Sequence, residues 1–98
     1  MPTYVLMTKL DPSVNRDMKQ REKIGHEWKA NVDKKCPQVR WLGHYALLGP
    51  YDFMDLFEAP NEEVAAKVSM ISQARGAIQA ESWTAIPYAR FVELTKEI

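Results

Sequence analysis

The chain is short of the features that several common protein classes depend on. It has a single cysteine, Cys36, in 98 residues. One thiol cannot close an internal disulfide, and a small secreted domain usually carries several. No stretch approaches the ~18 consecutive apolar residues of a spanning helix, so no membrane partner is expected. Lys plus Arg equals Asp plus Glu, giving a formal charge of zero, with no basic stripe and no block of like charge. A nucleic-acid partner therefore has no electrostatic support. Two histidines without an H-x-x-x-H spacing make a poor metal set, so neither a metal nor a cofactor is expected. Gly43, Gly49 and Gly76 do not form a phosphate-cradling series. The opening "MPTYVLMTKL" lacks the basic and apolar regions of a secretion signal. Together with the lone thiol, this makes a cytoplasmic location the expectation. Without repeats or linkers, residues 1–98 read as one domain.

What is present alternates between two periods. "TYVLMTKL" (Thr3–Leu10) is rich in β-branched and aromatic residues and predicts a strand. Asp11 and Ser13 are candidate helix caps, and Pro12 suits a helix start. From about Val14 to Lys35, apolar residues recur at helical spacing through Val14, Met18, Trp28 and Val32, with Arg21 on the same stripe. Pro37 cannot continue that helix. "VRWLGHYALL" (Val39–Leu48) predicts a second strand, "GPYD" a turn, and "DFMDLFEA" (Asp52–Ala59) a third strand. Asn61 can cap a second helix carrying Val64, Val68 and Ile71, with Gly76 at its left-handed end. Ala77–Ile86 reads as a fourth strand, and Pro87 opens a short terminal helix. The order is β-α-β-β-α-β plus a helix: an α+β, ferredoxin-like arrangement with strands one and three central.

Such a sheet has helices on one side, so its other face should be polar. By alternation, Tyr4, Leu6 and Leu10 oppose Val5 and Met7, and Phe53 and Phe57 oppose Met54 and Leu56. Trp41 and Tyr45 oppose Leu42 and His44. Both faces are apolar. The two long helices can cover only one of them, and soluble monomers rarely leave a large apolar patch bare. Covering ~800 Å², about half of it apolar, is worth on the order of 10 kcal/mol before association costs. The expectation is a homodimer packed sheet to sheet, a dimeric α/β barrel, enclosing a space for an apolar or aromatic small molecule.

"LGPYDFMDLFEAPNEEVAAK", with the N-terminal "MPTYVLMTKL" and the C-terminal "ESWTAIPYARFVEL", resembles the GYD-domain family, named for a Gly-x-Tyr-Asp stretch that here is Gly49, Tyr51 and Asp52. The resemblance implies the dimeric α/β barrel superfamily, which includes cofactor-free monooxygenases and ligand-sensing modules. It implies no particular reaction. By the family pattern the position of Asp55 is apolar and that of His44 aromatic, so this chain departs there.

His44 and Asp55 are the sharpest candidates for chemistry. With Gly49–Asp52 as the turn, Ala46 would pair with Asp55, placing His44 diagonally from it on one face, ~7 Å away at Cα. A His–carboxylate pair in a low-dielectric space could act as a general base. The plainer alternative is a hydrogen-bonded pair at the rim of the fold or the dimer seam. Because a carboxylate is costly against packed helices, the inter-sheet space is the expected location. Tyr4, Trp41, Tyr45, Phe53, Phe57 and Trp83 could line it for an aromatic ligand, or could simply be core rings. Three readings follow: a small-molecule binder, a cofactor-free monooxygenase- or isomerase-like enzyme, and an assembly module with no cavity.

Overall fold

The computed structural model describes residues 1–98, Asn15 by its backbone alone. Its elements run β1 (Thr3–Leu10), α1 (Pro12–Asn15), α2 (Met18–Lys35), β2 (Arg40–Ala46), β3 (Phe53–Glu58), α3 (Glu62–Ala74), β4 (Ala77–Ala85) and α4 (Tyr88–Thr95). The strands form one antiparallel sheet in the order β2-β3-β1-β4. This is the ferredoxin-like α+β arrangement with β1 and β3 central.

Local chemistry accounts for most boundaries. The Asp11 side chain accepts from the Ser13 backbone N–H, with Pro12 at the start of α1. Asn61 caps α3 by accepting from the Val64 N–H at 3.0 Å. Gly76 follows α3 with φ +101°, the left-handed geometry that only glycine adopts without strain. Its carbonyl accepts from the Asp11 N–H at 2.9 Å, tying the end of α3 to the end of β1.

Two expectations about the chain path need correction. The single helix expected over Val14–Lys35 is two helices. The Asp17 side chain accepts from the Lys19 and Gln20 N–H groups, so it starts α2 afresh. The β2–β3 hairpin is also wider than a Gly49–Asp52 turn. Ala46 pairs with Phe53 and His44 with Asp55, two residues away from the expected register. The Leu47 N–H closes the loop on the Asp52 carbonyl at 2.8 Å. A bulge lies between Trp41 and Gly43. The extra residue reverses the alternation, so Trp41 and His44 share a face that strict alternation would separate.

The core lies between the sheet and the helices. Leu6, Phe57, Val32, Val68 and Cys36 are fully buried, and Val64 and Ala65 pack with them. Cys36 is a small buried hydrophobe, and burial pushes its thiol pKa up. Only the C-terminal half of α2 joins this core, through Trp28 and Val32. Met18, at its other end, is exposed.

Among the described residues no helix packs on the opposite face of the sheet. Tyr45, Leu42 and Trp83 are exposed there, and Val5, Met54 and Leu56 are half-buried. The hairpin covers part of it. Tyr51 meets the Trp83 ring edge-on, centroids 6.0 Å apart, and donates its hydroxyl to Glu81 at 2.9 Å. Met7, on the strand between, is buried. Asp52 anchors the same turn: its N–H donates to the Thr8 carbonyl and its carboxylate accepts from the Leu10 N–H, each at 2.8 Å. α4 has no buried residue, with Tyr88 78% and Phe91 51% exposed. It contributes to a radius of gyration of 14.6 Å and a long dimension of 49 Å, against about 12.6 Å expected for a compact chain of this length.

Candidate functional site

The site begins with the bulge. It sets His44 directly across from Asp55 on the helix side of the sheet. Asp55 is 2% exposed, flanked by Leu6 on β1 and His44 on β2. His44 Nδ1 pairs with Asp55 Oδ1. The expected location between two sheets is therefore corrected: the pair faces α2. A carboxylate is tolerated here because the imidazole meets it, offsetting part of its desolvation. Burial still dominates and raises the Asp55 pKa above its ordinary 3.8, with the His44 hydrogen bond and charge acting against it.

Above the pair lies a cleft of about 600 Å³ between the sheet and α2, within the range of small-molecule sites. Its walls are largely aromatic. The His44 ring lies near-parallel to Phe53, centroids 5.7 Å apart, and to Trp28 at 6.5 Å. Trp28 meets Trp41 at 5.3 Å. Both indoles are held by hydrogen bonds, Trp28 Nε1 to Ser72 Oγ at 2.7 Å and Trp41 Nε1 to Asp33 at 3.0 Å. Two aromatic walls are thus fixed in orientation before any ligand arrives. Arg21 lies over the Phe53 ring, 5.3 Å from its centroid. Among the described residues no three His, Cys, Asp or Glu side chains gather as a metal set, and no helix is long and apolar enough to cross a membrane.

The residues expected to line one ligand space are divided among three places. Trp41 and Phe53 line the cleft. Tyr4 and Phe57 are core rings, 5% and 0% exposed, stacked at 5.6 Å. Their strand positions point them under α3 and Trp41, where nothing keeps a helix away. Tyr45 and Trp83 are on the open face. There Glu81 accepts from Tyr51, Trp83 and Gln79, and the Trp83 bond above all holds its pKa below the usual value. Gly49 and Tyr51 belong to the hairpin loop and Asp52 to its anchor on β1. His26 is an exposed neighbour of Glu22, 3.9 Å away.

Sequence reasoning missed Trp28 and Arg21 as cleft residues. Gly43 held the missing signal, since a glycine within a strand pattern often marks a bulge or a close approach. A Cβ at Gly43 would lie 2.9 Å from the Tyr45 ring.

The relatives bear on the whole fold rather than on the cleft alone. A protein of Thermus thermophilus, named as a glutamine synthetase and cystathionine beta-lyase binding protein, is 30% identical over 97 residues, spanning 98% of this chain and all of that one. Among solved structures, FFRP-DM1 covers 88% of this chain and 100% of its own at TM-score 0.55 and 17% identity. The Arabidopsis thaliana protein At3g17210 covers 89% and 95% at TM-score 0.56 and 12% identity. These two show likeness of fold alone. The GYD domain model matches residues 4–95. The chain belongs to the GYD-domain family.

Proposed function

We propose that this protein binds a small aromatic molecule in the cleft beneath α2, as a homodimer joined through its open sheet faces. The observation that carries the binding reading is the cleft itself: about 600 Å³, walled by fixed rings and floored by a carboxylate–imidazole pair. Packing alone does not favour a buried carboxylate at such a place. Self-association is supported by the bare apolar face around Tyr45, Leu42 and Trp83 and by α4, whose Tyr88 and Phe91 remain largely exposed. The setting proposed is the cytoplasm, where the lone thiol stays reduced.

Native mass spectrometry of the full chain tests both parts. The expected result is a dimer, with retained small molecule lost in Trp28→Ala. Trp83→Glu, on the other face, should give monomer. A wild-type protein that stays monomeric at micromolar concentration would refute the dimer. Capture of a different protein on the open face would also refute it, pointing instead to the kind of role named for the Thermus relative.

A second reading is enzymatic, and one observation favours it. Nδ1 of His44 is held by Asp55, while Nε2 has no partner among the described residues. An imidazole so oriented can accept a proton from an activated aromatic ligand through Nε2, as cofactor-free oxygenation or isomerisation requires. Unchanged turnover of a bound ligand in His44→Ala would exclude it.

A further inference from the structure

The charges around the cleft narrow the ligand. Those lining it are Arg21, Glu22, Lys29, Asp55 and Arg75, with His26 and His44. Most have partners. Lys29 is paired with Asp33 at 3.0 Å, Glu22 has His26 at 3.9 Å, and Asp55 has His44. Arg21 has only the face of Phe53 and a 3.6 Å contact to the Met18 sulfur. For Arg75, at the end of α3, the bonds are those of its backbone. Among the described residues neither guanidinium has a carboxylate partner, and the two residues line the cleft from different elements, Arg21 on α2 and Arg75 at the C-cap of α3.

We infer that the cleft takes a flat aromatic carboxylate, its ring against Phe53 and Trp28 and its carboxylate held by Arg21 and Arg75. The inference rests on the ligand-binding reading above and adds the charge of the ligand. Guanidinium groups match carboxylates bidentately, and such bonds strengthen beside apolar walls that exclude water. A doubly charged phosphate fits less well, because Glu22 and Asp55 line the same space and would repel it. A neutral ring would leave both arginines unmatched.

The test is calorimetric titration of the full chain with a naphthalene carboxylate and with the corresponding carboxamide, which has the same shape and no charge. The carboxylate should bind at least about tenfold more tightly, the range of one charge-assisted hydrogen bond. That ratio should shrink several-fold in Arg21→Gln and in Arg75→Gln, and shrink again as salt is raised. Equal affinity for the two probes in the wild type overturns the inference and leaves the cleft as a binding site. A preference that survives in both variants and at high salt overturns it too, because the charge would then be read elsewhere. If neither probe binds, both this inference and the ligand-binding reading fall.

Discussion

Removing His44 is the most direct perturbation of the site. In His44→Ala, Asp55, which is 2% exposed in the wild type, loses its imidazole. Breaking a fully buried ion pair costs about 3–5 kcal/mol. Here the His44 side chain is 63% exposed, so water reaches the gap and the loss should be nearer 2 kcal/mol, the range of a hydrogen bond to a charged group. For a chain of this size that lowers Tm by roughly 8–16 °C. The pH dependence has a definite sign. Asp55 has its folded pKa raised above 3.8. Such a group favours the fold fully at pH below about 3.8, and that contribution is lost as pH rises through the raised folded value. Wild type should therefore lose stability relative to Asp55→Asn as pH increases from about 4. Because His44 is what lowers the Asp55 pKa, the gap between wild type and His44→Ala should widen over the same interval. The assay is thermal unfolding by circular dichroism from pH 4 to 8 for the wild type, both single variants and the double variant. The cycle should give a coupling of at least about 1 kcal/mol at pH 7. Additivity within about 0.3–0.5 kcal/mol would mean that the two side chains do not act as a pair.

Two further outcomes test the frame around the site. Glu81 raises the Tyr51 hydroxyl pKa above its ordinary 10, first through their hydrogen bond. Glu81→Gln should thus lower that pKa in an ultraviolet titration, and no movement would mean that Tyr51 does not lie across the open face. Gly76→Ala forces an alanine into φ +101° and should cost about 1–2 kcal/mol in urea denaturation. The new Cβ would stand 3.4 Å from Val14 Cγ2, an ordinary contact, so an unchanged midpoint would contradict the left-handed turn itself.

The succession of elements was enough to read the order of the sheet, and hydrophobic alternation was enough to read the four strands and the bare second face. It worked best on β1 and β3, where the pattern runs unbroken from Tyr4 to Leu6 and from Phe53 to Phe57. Asn61 and Gly76 were equally legible, since each carries a backbone requirement that few other residues meet. The break between α1 and α2 was readable in principle: Asp17 followed by Gln20 is a capping pattern. It was hidden because Val14 and Met18 are four apart and keep the helical period across the break. The depth of the cleft was not legible. It depends on which half of α2 packs down, and Trp28 and Val32 do so while Met18 does not. Spacing puts all three on one stripe and says nothing of the distance from that stripe to the sheet.

The remaining misreading, the face of His44, shows what builds the site. In a regular ladder continued from the Trp41–Phe57 pair, Gly43 would oppose Asp55 and His44 would oppose Met54, on the open face. The one extra residue at Leu42 moves His44 back by a position and turns it under α2. Without that shift, Asp55 would face the helices with no imidazole opposite it, which is the costly arrangement that made the inter-sheet space look preferable on paper. A small local irregularity thus does what neither strand pattern could do alone. It makes a buried carboxylate tolerable, and it keeps one ring nitrogen turned away from that carboxylate. At Gly43, beside the bulge, a Cβ would stand 2.9 Å from the Tyr45 ring, so a larger residue there would have to displace that exposed side chain. The chemistry of this cleft therefore depends on the bulge at least as much as on the two residues that form the pair.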